Sequence, residues 1–242
     1  MTGDWEAARQ VQDSVTSEDE LGDYRPLAMS AAVLYAFSGD EVKLQVALTV
    51  LGQDETEDPQ DRAMSATAFA AAAALAEDHS EAFRHASRAV GHGTALGPRN
   101  DGVRWAWPIA ADAALALGDE AQVNRLLDWL GGYPPGHIPQ VLRTENLRIR
   151  ARMLGVGNDP TAGAAFQAAL AACRQLGSPY HLAVGLLDNA EYSAAVGDTQ
   201  RAEQLADEAG AIAQILGAQP LVGRVQRLNT SPPDRVTVGT TT

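Results

Sequence analysis

The sequence predicts an all-α protein made of stacked helix hairpins, and three observations carry that prediction. Its 242 residues include 45 Ala and only 13 Phe, Trp and Tyr together. Ala is the best helix former, while strands favour β-branched and aromatic side chains, so a sheet protein is disfavoured. The hydrophobic content of 45% is that of a folded chain and argues against disorder over most of the length. Finally, a short punctuating phrase returns at nearly constant intervals, the signature of a repeat architecture.

That phrase is Gly-Asp, a few polar residues, then an apolar residue five positions after the Gly. It appears at Gly3-Asp4, Gly39-Asp40, Glu77-Asp78, Gly118-Asp119, Gly157-Asn158 and Gly197-Asp198, at intervals of 36, 38, 41, 39 and 40. In each copy one helix ends at the Gly, which accepts the left-handed conformation at little cost. The Asp or Asn then caps the next helix by accepting its free N–H groups. Gly97, Gly177 and Gly217 close the pairs, so the unit is helix, tight turn, helix, turn.

Taken in order, the chain reads as a single helix over 4–16, pairs over 24–52, 60–96, 101–131, 138–176 and 178–216, and a short cap over 218–228. Residues 1–228 therefore form one repeat domain, and 229–242, which has almost nothing to bury, is a disordered tail. No pair can cover its own apolar face, so stacked neighbours must supply the core. Small residues mark the helix crossings inside each pair. Ala32, Ala70, Ala111 and Ala190 lie seven residues before the Gly or its equivalent, and Ala86, Ala206 and Phe166 lie nine after it. The fourth unit carries Arg150 where the others have Ala, so either the register slips by one there or that helix packs less tightly. The opening helix has no pairing partner, which points to a truncated gene, a split protein or a docking partner at that end.

Charge removes several function classes. The 18 basic residues, Lys43 and 17 Arg, face 31 acidic ones, for a net charge of −13. A nucleic-acid binder needs a basic footprint to displace counterions from phosphates, and anionic membranes make the same demand. Neither partner is expected. Cys173 stands alone, so no internal disulfide forms, and it reads as a small buried hydrophobe in a reducing cytoplasm. There is no charged segment followed by an apolar run at the start, hence no signal peptide. Uncharged runs such as Ala63–Ala76 are mostly Ala and too short for a bilayer. A cytoplasmic protein is expected.

The residues then resemble the tetratricopeptide repeat, most closely in the third unit, with Trp107, Ala111, Gly118-Asp119 and Pro135. The period exceeds the usual one for that repeat. It is similar to the variant in the C-terminal sensor regions of bacterial signal-transduction ATPases such as large LuxR-type regulators. Residues 142–228 resemble the C-terminal end of actinobacterial multidomain proteins that join a nucleotide-cyclase-like domain, an ATPase and such repeats. The phrases carrying this are Ala168-Ala169-Leu170-Ala171, Leu176-Gly177-Ser178-Pro179-Tyr180-His181-Leu182-Ala183 and Ala211-Ile212-Ala213-Gln214-Ile215-Leu216-Gly217-Ala218. The resemblance implies a right-handed TPR-like α-solenoid of about five helix pairs plus an N-terminal half repeat. No phosphate-binding loop and no DNA-reading helix-turn-helix accompany it, so the chain corresponds to the repeat portion alone. The implied function is a protein- or peptide-binding scaffold, the regulatory segment of such an ATPase system, with an ATPase or cyclase-like polypeptide as one partner. The alternative is a sensor that holds a small effector in the concave groove.

Candidate catalytic features resolve to structural ones. Glu81, His85 and His92, with Asp78 and His79 before them, lie along one helix but lack the further ligands a metal needs. The Gly-x-Gly of Gly91-His92-Gly93 ends a helix, whereas a dinucleotide loop opens one, so it reads as a frayed terminus. Asp188 and Glu191, beside Tyr192, read as paired acids on a solvated face. No catalytic residue, cofactor or metal is expected. In solenoids of this type the first helix of each pair lines the groove, which points to Met29, Thr67, Trp105, Asp112, Thr144, Leu147 and Glu191. Trp105 is either a binding anchor or a contact between adjacent repeats, and Trp107 belongs to the core. Arg143, Arg148 and Arg152, with Arg150 between them, either grip an acidic partner or coat a solvated helix.

Overall fold

The computed structural model of the protein describes residues 25–52 and 57–230, together with Trp5, Ala7 and Gln10. Every regular element among them is helical. The first pair is α1 (Arg25–Ser38) and α2 (Glu41–Gly52), and the second is α3 (Pro59–Leu75) and α4 (His79–Gly91), followed by the short α5 (Gly93–Leu96). The third pair is α6 (Asp101–Ala116) and α7 (Glu120–Gly131), joined by a single 3-10 turn to the fourth, α8 (Gln140–Val156) and α9 (Ala162–Leu176). The fifth pair is α10 (Pro179–Ala195) and α11 (Thr199–Leu216), and α12 (Gln219–Thr230) closes the described chain. Trp5, Ala7 and Gln10 are helical, while the rest of the expected helix over 4–16 lies outside the described residues. Asn229 and Thr230 complete α12, and the remainder of the expected tail also lies outside them.

The punctuation acts as its chemistry dictates. Gly39, Gly118 and Gly197 all adopt positive φ. The side chains of Asp40, Asp78, Asp119 and Asp198 accept from the backbone N–H three residues on, at 3.0–3.1 Å. The crossing residues Ala32, Ala70, Ala111 and Ala190 are fully buried. The fourth unit slips. Its left-handed residue is Asn158 (φ 52), while Gly157 stays right-handed (φ −74). With the turn one residue later, Ala151 takes the buried place and Arg150 turns out to solvent, where its Nε donates to Asn146 Oδ1.

Successive first helices also pack on one another, α1 along α3 and α3 along α6. In the α3–α6 seam the backbones come so close that a Cβ on Gly102 would lie 2.8 Å from the Ala63 carbonyl carbon. Thr67 Oγ1 bridges there to the Ala63 and Gly102 carbonyl oxygens at 2.7 and 2.8 Å. Trp107 is fully buried as expected, its indole N–H donating to the Leu126 carbonyl 3.0 Å away on α7. The Gly91–Gly97 stretch is not frayed, since it holds a further helical turn at Gly93–Leu96. Gly93 is buried against the ring of Trp129, and its carbonyl accepts from the Tyr133 hydroxyl at 3.1 Å.

The helices then curl back on themselves. α12 touches α1, Pro220 lies against Gly39, and Arg227 pairs with Glu77 at 3.3 Å. Trp5, only 5% exposed, stacks on Tyr180 of α10 with ring centroids 5.3 Å apart. Trp5 thus packs onto the C-terminal half.

Candidate functional site

The inward faces of the first helices carry the chemistry. Helical spacing aligns Trp105, Ile109 and Asp112 on α6; Glu145, Arg148 and Arg152 on α8; and His181, Asp188 and Glu191 on α10. Arg224 on α12 completes the row. Arg148 is 2% exposed and sits at the centre. Its Nε donates to Glu145 (2.7 Å), its Nη1 to Asp188 (2.7 Å) and Asp112 (3.0 Å), and its Nη2 to Asp112 (2.6 Å). Arg152 also donates to Asp112. Arg224 grips Glu191 with Nε and Nη2 at 2.6 and 2.7 Å and reaches Asp188 as well. Three adjacent helix pairs and α12 are thus joined by alternating acids and guanidinium groups.

Burial and pairing divide the carboxylates. Burial pushes the Glu145 carboxyl above its ordinary value, and the nearby charges of Asp112 and Asp188 add to it, so that Arg148 does not offset the rise. Burial pushes Asp188 the same way, but Arg152, Arg148 and Arg224 together outweigh it and hold the carboxyl well below the usual carboxylate range. Arg148 loses hydration too, yet Asp112, Glu145 and Asp188 keep it firmly charged. Beside them burial, aided by Arg148, lowers His181 to about 4, so the imidazole is neutral, with Ser178 Oγ 2.8 Å from Nδ1. Burial raises the Cys173 thiol to about 12, so it stays protonated. Acids neutralised by fixed guanidinium groups are poor general bases.

On one side of this row lies an open-sided cavity of about 680 Å³. Phe37, Ile109, Tyr180 and Leu221 give it an apolar wall, and Asp112, Arg152, Glu191 and Arg224 a charged one. Deeper in, Phe37 stacks on Tyr180 at 4.8 Å and meets Trp105 at 5.5 Å, and Trp105 meets His181 at 5.7 Å.

The expected groove positions separate. Asp112 and Glu191 line the cavity, and Trp105 lies in the aromatic cluster. Met29, Thr67 and Thr144 are buried and do not line the cavity, Thr67 because it is enclosed in the close α3–α6 seam. Leu147 is 42% exposed, outside both the network and the cavity. Arg148 and Arg152 are consumed by internal carboxylates, so neither coats a solvated helix, and Arg143 alone of the three is exposed. Asp188 is buried at the centre of the network, not on a solvated face. On α4 the Glu81 carboxylate is taken by Arg84, and His92 sits at the helix end. Among the described residues no group of three His, Cys, Asp or Glu could hold a metal ion, and no helix is long and apolar enough to cross a membrane.

Sequence reasoning missed Glu145, Asp188 and Arg224 as one system with Arg148 and Asp112. A signal existed: Asp112, Arg148, Asp188 and Arg224 are spaced by 36, 40 and 36 residues. Acid, base, acid and base therefore occupy nearly equivalent repeat positions. No family model, curated protein or solved structure matches the chain.

Proposed function

We propose that the chain is a non-catalytic helical-repeat scaffold, a right-handed TPR-like solenoid, that holds a segment of another polypeptide in its inner cavity. The observation that carries this reading is the cavity itself, about 680 Å³, walled mostly by side chains from the first helices and α12. An extended peptide suits a wall that offers aromatic rings along one side and both charge signs along the other. The setting as a regulatory segment of a bacterial signal-transduction or transcription-regulatory ATPase system rests on the sequence resemblance over residues 142–228.

A small-effector sensor is the second reading. The pairs Arg224–Glu191 and Arg227–Glu77 tie α12 to the rim, and an effector that replaced them would shift α12. Titration of isotope-labelled protein with random-peptide pools and with metabolite mixtures, followed by NMR, separates the two. The scaffold reading expects peptide-dependent shifts at Phe37, Ile109 and Glu191. Shifts confined to the outer helices α2, α7 and α11 would defeat both.

A further inference from the structure

A second surface lies at the opposite ends of the first helices, and it shares no lining residue with the cavity. The start of α6, the 3-10 turn and the start of α8 surround a depression of about 390 Å³ lined by Arg99, Arg104, Arg143, Ile138, Pro139 and Gln140. Arg104 also lines an adjoining notch of about 90 Å³, formed with Trp105, Val141, Leu176, Ser178 and His181. Three guanidinium groups thus stand beside a small, largely apolar recess.

Little in the fold uses these charges. Arg99 donates to the carbonyl oxygens of Gly136 and His137, which orients it and leaves its positive charge unneutralised. Among the described residues Arg104 pairs with Asp101 alone, whose side chain is 65% exposed. Arg143 is exposed and has no ion-pair partner among the described residues. In addition α8 begins after Pro139, whose side chain cannot cap, so its first N–H groups and positive dipole end face the same region. In a chain of net charge −13 this is a local positive field.

We propose that this surface binds an acidic segment of a partner protein, with its carboxylates on Arg99, Arg104 and Arg143 and one apolar side chain in the notch beside Trp105. Guanidinium forks match carboxylates in geometry as well as charge. A short segment feels only the local field, because salt screens charges beyond roughly 10 Å. A long polyanion such as nucleic acid would instead meet the acidic remainder of the protein. The inference does not depend on the cavity, so either can fail alone.

The test is selection of the full chain against a random-peptide library, followed by affinity measurement on the selected peptides. The expected winners are rich in Asp and Glu around one apolar residue and weaken as salt rises. Arg143→Gln, at an exposed position, should leave melting unchanged and weaken them about tenfold, the size of a lost charged hydrogen bond. A peptide with its Asp and Glu replaced by Asn and Gln should bind no better than a random one. Selection of neutral or basic peptides, selection of none, equal binding to Arg143→Gln, or preference for single-stranded nucleic acid would each overturn the proposal.

Discussion

The two halves of the molecule use the same joint inside each helix pair and different joints between pairs. Within pairs, a buried Ala stands at each crossing, whether Ala70 in the second pair or Ala190 in the fifth. Between pairs, the N-terminal half closes α3 onto α6 through Ala63, Thr67 and Gly102, with the backbones nearly touching. The C-terminal half joins α6, α8, α10 and α12 through Asp112, Arg148, Asp188 and Arg224. Small residues lose little side-chain entropy and close a seam by contact alone. Long charged side chains span a wider gap, but they stabilise only as a complete set, since each buried charge depends on its partners. The second kind of seam leaves room for a cavity beside it.

Breaking the charged seam should cost most. Arg148→Met leaves the buried Glu145 without its cation and takes one of their cations from Asp112 and Asp188, and is expected to lower stability by about 3–5 kcal/mol in urea unfolding. Thr67→Val in the apolar seam removes the one hydroxyl proton shared between the Ala63 and Gly102 carbonyls and should cost only about 1 kcal/mol. The reverse order would contradict the comparison.

Acid should act next, and on the C-terminal half. His181 sits near 4 when folded and titrates from its ordinary 6.5 when unfolded. As pH falls through that window the unfolded chain takes up a proton that the folded chain refuses. Stability should therefore decline, by up to about 3 kcal/mol from this group. His181→Gln should flatten the slope, and an unchanged difference between pH 7 and pH 4 would show that His181 is not its source.

Overpacking the shared joint should cost about 1–3 kcal/mol in either half, so Ala111→Leu and Ala190→Leu should both lower the melting temperature. The register slip adds a sharper contrast, with Ala151→Leu costly and Arg150→Leu nearly silent. If Arg150→Leu proved the costlier, the assigned register would be wrong. The smallest effect is a gain. Glu77 holds a positive φ of 57° that three of its sister turns assign to Gly, and its pair with Arg227 is exposed. Glu77→Gly should raise stability by about 0.5–1 kcal/mol in thermal unfolding.

Most element ends were legible because turn chemistry is local: Asp78, Asp119 and Asp198 cap helices a few residues away. The site was only half legible. Asp112 and Glu191 were reached through helix position alone, while Met29, Thr67 and Thr144 satisfied the same rule and are buried. Position within a helix says which side chains share a face. It does not say how far away the next helix stands.

The sequence by itself determined the helix pairs, their turns and the Ala crossings, because capping, left-handed turns and amphipathic spacing act within a few residues. Only the tertiary structure decided that α12 returns to α1, that Trp5 rests on Tyr180, and that Arg148 is spent on three internal carboxylates. Those outcomes depend on small rotations between neighbouring pairs accumulating across the stack, and no short stretch of chain encodes their sum.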